Sequence, residues 1–281
     1  MYEILEKREL NATTTLMCIY APEIAKKALP GQFIIVRSHE DGERIPLTIA
    51  DYDREKGSIT IIFQKIGAGT LRLGSLEKGG SVQDFAGPLG RPTELEGFHK
   101  VAVVGGGVGC AIAYPQAKFL HNEGVEVHLI AGFRSKDIVI LEEEMKAACT
   151  EFCLATDDGS YGTKGFVTNI LKDKIDAGEN YDAVIAIGPV PMMRAVSELT
   201  RGYQIKTIVS LNPIMIDGTG MCGGCRVTVG GKVKFACVDG PDFDGHEVDF
   251  EELMHRNGMY REAEQHAREH TCNLLKMGGR Q

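Results

Sequence analysis

Three cysteines in a glycine-rich stretch are the residues best placed to do chemistry. Cys222 and Cys225 are separated by two glycines, and Cys237 follows after eleven residues. The intervening Arg226–Ala236 stretch contains Val-Thr-Val-Gly-Gly-Lys-Val-Lys-Phe, which predicts a β-hairpin with a Gly-Gly turn. Such a hairpin returns Cys237 to the Cys-x-x-Cys pair, so three thiolates converge, and the surrounding glycines leave backbone amides free to bond sulfur. The plant-type two-iron spacing is Cys-x4-Cys-x2-Cys with a distant fourth cysteine. Here its first position, five residues before Cys222, is Asp217. The candidate metal ligands are therefore Asp217, Cys222, Cys225 and Cys237, a carboxylate being able to ligate iron and to alter a cluster's potential. Three other assignments stay open: tetrahedral zinc held by the three cysteines and one more ligand, a cluster of free thiols, and Asp217 as a cap on the turn at Gly218, with a residue such as Asp239 completing the site. Iron–sulfur is favoured over zinc because the preceding domain reads as a redox domain. Cys18, Cys110, Cys149, Cys153 and Cys272 are isolated and read as small apolar fillers.

A second constellation is built from glycine. Val-Ala-Val-Val-Gly105-Gly106-Gly107-Val108-Gly109 ends a strand and opens a helix. Glycines there let the chain turn sharply and approach a pyrophosphate, whose charge the free amides of a helix N-terminus favour. The spacing is Gly-Gly-x-Gly, short of the full dinucleotide fingerprint, and a tight strand–helix turn with no ligand is the alternative. Two later segments support binding: Thr156-Asp157-Asp158-Gly159-Ser160-Tyr161-Gly162 and Gly188-Pro189-Val190-Pro191-Met192-Met193. Both follow strands, so both fall at the carboxyl edge of the sheet, where open α/β folds bind ligands. Asp157 and Asp158 suit ribose hydroxyls, although Asp-Asp-Gly is also a common turn. Arg134 and Lys136 stand where a 2′-phosphate would be met, against the two aspartates, so residues alone do not choose NADH or NADPH. Ser160 and His246 form no triad spacing, and Glu142-Glu143-Glu144 reads as a solvated helix face.

The elements that must position these residues change character along the chain. Residues 1–97 read as a small antiparallel β-barrel: β-rich runs at 13–20, 32–37, 58–64 and 81–85 are separated by Gly, Pro and charged turns. Residues 98–211 alternate strands and helices as a doubly wound α/β domain. Its strands fall at 101–104, 125–131, 153–155, 183–187 and 206–210, and its helices run to about 122 and over 141–148, 167–175 and 192–200. Residues 212–248 form a small cysteine-bearing domain. Residues 249–281 are a charged, helix-compatible tail whose spacing of Tyr260, Ala263, Ala267, Leu274 and Leu275 suits docking on another chain or folding back over the cysteine domain.

Composition narrows the class. The 281 residues are 43% hydrophobic and 25% charged, the balance of a globular chain long enough for two domains and an appendage. A formal net charge of −8 argues against nucleic acid and anionic membranes as partners. No apolar run approaches the ~18 residues of a membrane span. The first residues lack the apolar core of a signal peptide, so the eight cysteines are expected to be thiols or ligands in the cytoplasm.

In this order, a β-barrel, a Gly-Gly-Gly-Val-Gly α/β domain, a Gly-Pro-x-Pro-Met-Met turn and a cysteine-rich end resemble the ferredoxin–NADP reductase superfamily. The resemblance covers essentially the whole chain. It is strongest to the branch holding the dihydroorotate dehydrogenase electron-transfer subunit and the small subunit of NADH-dependent reduced ferredoxin:NADP oxidoreductase, an electron-bifurcating transhydrogenase. The Asp217-x4-Cys222-x2-Cys225-x11-Cys237 pattern is similar to the latter, since the dihydroorotate relatives carry Cys at the first position. The resemblance implies a barrel that binds FAD, an α/β domain that binds NAD(H), and a [2Fe-2S] cluster. It also implies a heterodimer with a larger flavin- and iron–sulfur-carrying subunit, with ferredoxin served only indirectly.

The flavin residues are likewise implied. The superfamily's Arg-x-Tyr-Ser/Thr strand corresponds to Arg44-Ile45-Pro46-Leu47-Thr48, with Thr48 at the hydroxyl position, Leu47 in place of the aromatic and Arg44 one residue early. Gly67-Ala68-Gly69-Thr70 matches the second phosphate contact. Ala111-Ile112 and Ile187 stand where many relatives have Ala-Pro and Cys. The expected activity is transfer of electrons from a nicotinamide nucleotide to a partner, by cofactors rather than a catalytic side chain. Two rivals share the branch: the electron-transfer subunit of an NAD-dependent dihydroorotate dehydrogenase, and a sulfide or polysulfide reductase subunit. A third, of another class, is a zinc-stabilised nucleotide-binding regulator.

Overall fold

The computed structural model describes residues 2–278, and side chains through residue 272. Seven strands build the first sheet: β1 (Tyr2–Glu9), β2 (Thr14–Tyr20), β3 (Phe33–Arg37), β4 (Ile45–Asp53), β5 (Ser58–Gln64), β6 (Ser81–Val82) and β7 (Asp84–Leu89). Their order is β6-β1-β2-β5-β4-β3-β7, and the pairings are antiparallel. Because β6 and β7 are nearly continuous in the chain, one holding β1 and the other β3, the sheet curls almost shut into a barrel. Short helices α1 (Pro22–Ala25) and α2 (Ala68–Gly74) cover its ends. Alternation decides what each side chain meets. On β3, Ile34 and Val36 point into the barrel core with Ile4, Ile49 and Phe63, while Phe33 and Ile35 point outward into a separate apolar cluster with Cys225 and Cys237.

The second sheet has β8 (Lys100–Gly106), β9 (Glu126–Phe133), β10 (Glu151–Thr156), β11 (Thr163–Lys164), β12 (Ala183–Ile187) and β13 (Lys206–Ser210), in the order β11-β10-β9-β8-β12-β13 and all parallel. Helices α3 (Cys110–Asn122), α4 (Glu142–Ala147), α5 (Val167–Asp176) and α6 (Val190–Gly202) connect them. Burial on both faces explains the unbroken apolar run of β12, in which all five residues are enclosed. The order reverses between β8 and β12, which places the topological switch point there. α3 also packs on β4, where Lys118 Nζ lies 2.7 Å from Asp51 Oδ2, so the glycine-initiated helix is fastened to the barrel.

The cysteine module begins with the hairpin β14 (Arg226–Val229) and β15 (Lys232–Phe235), turned by Gly230 and Gly231 at φ +58° and +69°. Two consecutive left-handed residues are what a tight two-residue hairpin requires. After α7 (Ala236–Asp239), strand β16 (Asp242–Asp244) adds antiparallel to β13. The module is thus stitched into the nucleotide sheet, whereas its sequence reads as a separate unit. α8 (Phe250–Asn257) is capped by Asp249, which accepts from the Glu252 amide at 2.9 Å, and buries Phe250 and Leu253 against the α/β core. α9 (Arg261–Gly278) returns to pack against α2 of the barrel, and Thr271 is buried. Tyr260 is exposed, and the Leu274 and Leu275 side chains lie outside the described residues. No described helix is long and apolar enough to cross a membrane.

Candidate functional site

The hairpin brings the cysteines together. Cys225 Sγ and Cys237 Sγ are 3.1 Å apart and both are buried, while Cys222 is exposed at the rim. The Cys237 amide points at Cys225 Sγ at 3.4 Å and the Gly224 amide at Cys222 Sγ at 3.4 Å, an arrangement in which backbone donors serve sulfur. Burial, with the neighbouring Cys225 thiol, pushes the Cys237 thiol up to about 12. Asp217 reaches the same spot: its Oδ1 lies 3.4 Å from Cys222 Sγ. Its carboxylate also accepts from the Thr219 amide at 3.1 Å and the Cys222 amide at 3.0 Å, and these backbone donors hold its pKa below the usual carboxylate range. Both readings of Asp217 therefore have a geometric basis, since it caps the loop and stands beside a sulfur. Asp239, the other candidate, is engaged elsewhere, accepting from the Phe235 amide at 2.8 Å. The donor set, sulfur-rich with one carboxylate, fits iron or zinc.

Around the switch point the glycines answer a packing demand as well as a ligand. A Cβ on Gly109 would lie 2.4 Å from the Ile187 carbonyl oxygen, and one on Gly188 would lie 3.1 Å from Gly106 Cα. One on Gly106 would meet Met192 Sδ at 2.4 Å, and one on Gly105 would meet Cys110 Sγ at 2.8 Å. The loop after β8 and the Gly188-Pro189 loop after β12 are therefore in near contact, with Met192 across them. Gly107 differs: its φ is +57° and an added Cβ meets nothing, which leaves an open ledge before α3. Asp157 and Asp158 follow β10, two strands from β8 and so about 10 Å along the same edge. Asp158 Oδ1 caps the Ser160 amide at 2.9 Å, while both side chains remain exposed.

On the barrel, Thr48 of β4 is paired with Phe33, Leu47 with Ile34 and Pro46 with Ile35. Arg44 is exposed just before the strand. Thr70 Oγ1 closes its own turn, accepting from the Gly67 amide at 3.0 Å. The Gly69 amide donates to Glu43 Oε2 at 3.1 Å. Glu43 was not among the residues singled out from the sequence, because nothing in its spacing marks it. Here a carboxylate holds the anion position that the phosphate reading assigns to Gly69.

A further ionisable knot, at the opposite edge of the sheet, is internally satisfied. His128 bonds Tyr181 Oη at 2.9 Å and Glu126 Oε1 at 3.1 Å, while Lys100 pairs with both Glu126 and Glu179 and Lys174 with Glu151.

A near-closed antiparallel barrel, a parallel sheet with a glycine-lined switch point and a three-cysteine loop against the barrel define a ferredoxin-reductase-like electron-transfer protein. Residues 212–249 match the iron–sulfur cluster binding domain of dihydroorotate dehydrogenase B. An uncharacterized protein in the adh 3′ region of Clostridium beijerinckii is 52% identical over 94% of this chain and 92% of its own. The dihydroorotate dehydrogenase B (NAD(+)) electron transfer subunit homolog of Thermotoga maritima is 45% identical over 93% and 92%. A structure described under flavin-based electron bifurcation, that of NADH-dependent reduced ferredoxin-NADP oxidoreductase, superposes with a TM-score of 0.91 at 42% identity, covering 96% of this chain and 97% of that one. The chain belongs to the family of dihydroorotate dehydrogenase B electron-transfer subunits and their homologues.

Proposed function

We propose that this chain takes electrons from NADH onto FAD and passes them singly through a [2Fe-2S] cluster to a larger flavin- and iron–sulfur-carrying subunit, in NADH-linked ferredoxin:NADP oxidoreduction. The observation that carries this reading is the position of β3, one strand thick between the flavin-type strand β4 and the buried pair Cys225 and Cys237. When bound, FAD supplies the conversion of a hydride into single electrons and the cluster supplies a one-electron relay. The chain's own residues hold and insulate. Pro46, Leu47 and Thr48 present β4 to the flavin ring, with Arg44 exposed at the strand's start. Gly67, Gly69 and Thr70 offer amides and a hydroxyl to its phosphates, Glu43 having to move aside. Gly105, Gly106, Gly107 and Gly109 with Gly188, Pro189 and Met192 form the nucleotide crevice, and Asp157 and Asp158 face its ribose. Asp217, Cys222, Cys225 and Cys237 hold the cluster.

The partner's place follows from exposure. Met221 is 88% exposed beside Cys222, with Ile216 at 56% and Val238 at 39% nearby, an apolar rim that suits cover by the larger subunit. All eight cysteines are free thiols, in keeping with a reducing cytoplasm.

The test is anaerobic purification of the full chain with assay of flavin, iron, acid-labile sulfide and zinc. FAD with two irons and two sulfides, bleached by NADH, is the expected result. A colourless zinc protein would overturn the reading in favour of a nucleotide-binding regulator.

A further inference from the structure

Among the described residues, three buried side-chain acceptors have no hydrogen-bond partner, and two of them belong to groups already in contact: Asp242 Oδ1 and Gln116 Oε1. Gln116 lies on α3, the helix that the glycine turn initiates, and is fully buried. Asp242 opens β16, five residues after Cys237; the residue as a whole is half-buried, but its Oδ1 is enclosed. Gln116 Nε2 donates to Asp242 Oδ2 at 3.3 Å, and Thr93 Oγ1, from the segment linking the barrel to the sheet, donates to the same oxygen. Gly31 of the barrel closes the site, since a Cβ there would stand 3.0 Å from Asp242 Oδ2. Barrel, nucleotide domain and cysteine module meet at this one carboxyl.

An ionised Asp242 leaves a buried anion with no cation and strands two acceptors, which costs stability. The groups facing it are the Thr93 hydroxyl, the Gln116 amide and the Ser210 hydroxyl of β13, all uncharged. Arg91, two residues before Thr93, gives its Nε to the Val238 carbonyl at 3.1 Å instead. A single proton on Oδ1 turns one orphan into a donor and supplies the other with its bond.

We propose that at mildly acidic pH Asp242 carries a proton in the folded protein and donates it from Oδ1 to Gln116 Oε1, so that acid and amide close a two-bond ring fastening the cysteine module to the nucleotide helix. The proton comes from solvent as the chain folds, forming the Oδ1–H bond and breaking no bond of the protein. Asp242 is a positioning residue: it acts through β16 on the Cys237 loop and through α3 on the glycine turn. Burial pushes its carboxyl up to about 6 against the pull of the Ser210, Thr93 and Gln116 hydrogen bonds. A carboxyl raised in the folded state gives stability that is complete below its unfolded pKa of about 4 and is lost as pH rises through the folded value.

Infrared difference spectra between the parent protein and Asp242→Asn, with melting curves from pH 5 to pH 8, test this. Asn keeps one donor and one acceptor and mimics the protonated acid. The parent should show a protonated carboxyl band that Asp242→Asn lacks, and Gln116→Leu should shift that band. Asp242→Asn should melt as high as the parent at pH 5 and higher at pH 8, its margin growing with pH. Asp242→Ala should lose about 5 °C at pH 5, with its deficit against the parent shrinking at pH 8. No carboxylic acid band at pH 5, or a band that Gln116→Leu leaves unmoved, overturns the ring. So does an Asp242→Asn protein that melts as low as Asp242→Ala.

Discussion

Phe33 lies directly opposite Thr48 across the β3–β4 ladder, and its side chain sits in the same buried cluster as Cys225 and Cys237. A single residue therefore touches, by backbone and by side chain, the two places where the flavin and the iron–sulfur cluster are proposed to bind. Truncating it should be felt at both. Phe33→Ala should cost about 3–5 kcal/mol by cavity formation and make iron easier to remove, whereas Phe33→Leu should cost far less. Denaturant titration with chelator-release kinetics checks this; iron release unchanged in Phe33→Ala would separate the barrel wall from the cysteine loop.

The flavin loop gives opposing variants. Glu43→Ala removes the carboxylate competing for the Gly69 amide and should tighten FAD binding several-fold, about 1 kcal/mol or less. Gly69→Val should release flavin, because its Cβ would stand 2.5 Å from Glu43 Oε2 and 2.9 Å from Ile45 Cδ1 even before phosphate arrives. Fluorescence titration of the flavin-stripped chain reads both. Parent-like affinity in the two variants would remove Gly67–Thr70 from the site.

Two glycines of the nucleotide turn should fail differently. Gly109→Ala drives a Cβ into the Ile187 carbonyl and should lower the melting temperature. Gly107→Glu meets open space, at a left-handed position that costs about 1–2 kcal/mol. It should fold, lose reduction by NADH and still be reduced by dithionite. Stopped-flow reduction at the parent rate would make the ledge a structural turn only.

Asp217 is the remaining choice between ligand and cap. Asp217→Cys should retain a two-iron cluster with a shifted potential and an altered electron paramagnetic resonance spectrum. Asp217→Ala should bind iron weakly, having lost both the donor beside Cys222 and the bonds to the Thr219 and Cys222 amides. Asp217→Asn separates the roles, since it caps an amide without a carboxylate. If all three variants keep the parent's spectrum and potential, Asp217 caps the loop and nothing more.

Local signals carried most of the fold into the sequence. The apolar run of β12, the Gly-Gly turn between β14 and β15 and the glycines before α3 are each set by neighbours within a few residues, and each was legible. Strand β1 was missed because its charged residues, Glu3, Glu6, Lys7, Arg8 and Glu9, mask the buried Ile4. α2 was missed because Gly67, Gly69 and Gly74 read as turn. What no local pattern can show is a partner 126 residues away, as with Gln116 and Asp242, or a strand joining a sheet built earlier in the chain, as with β16. The site residues were legible as types at a spacing; Glu43, which competes with them, was visible only once β4 and α2 were brought together.

That added strand has a consequence for the life of the protein. β13 would otherwise be the outer strand of a parallel sheet, its amides and carbonyls open to any extended chain, and such an edge templates aggregation. β16 covers it through Ile208, Val209 and Ser210, but is itself moored by the loop that carries Cys237. Whatever holds the Cys237 loop in place therefore also keeps the β13 edge covered.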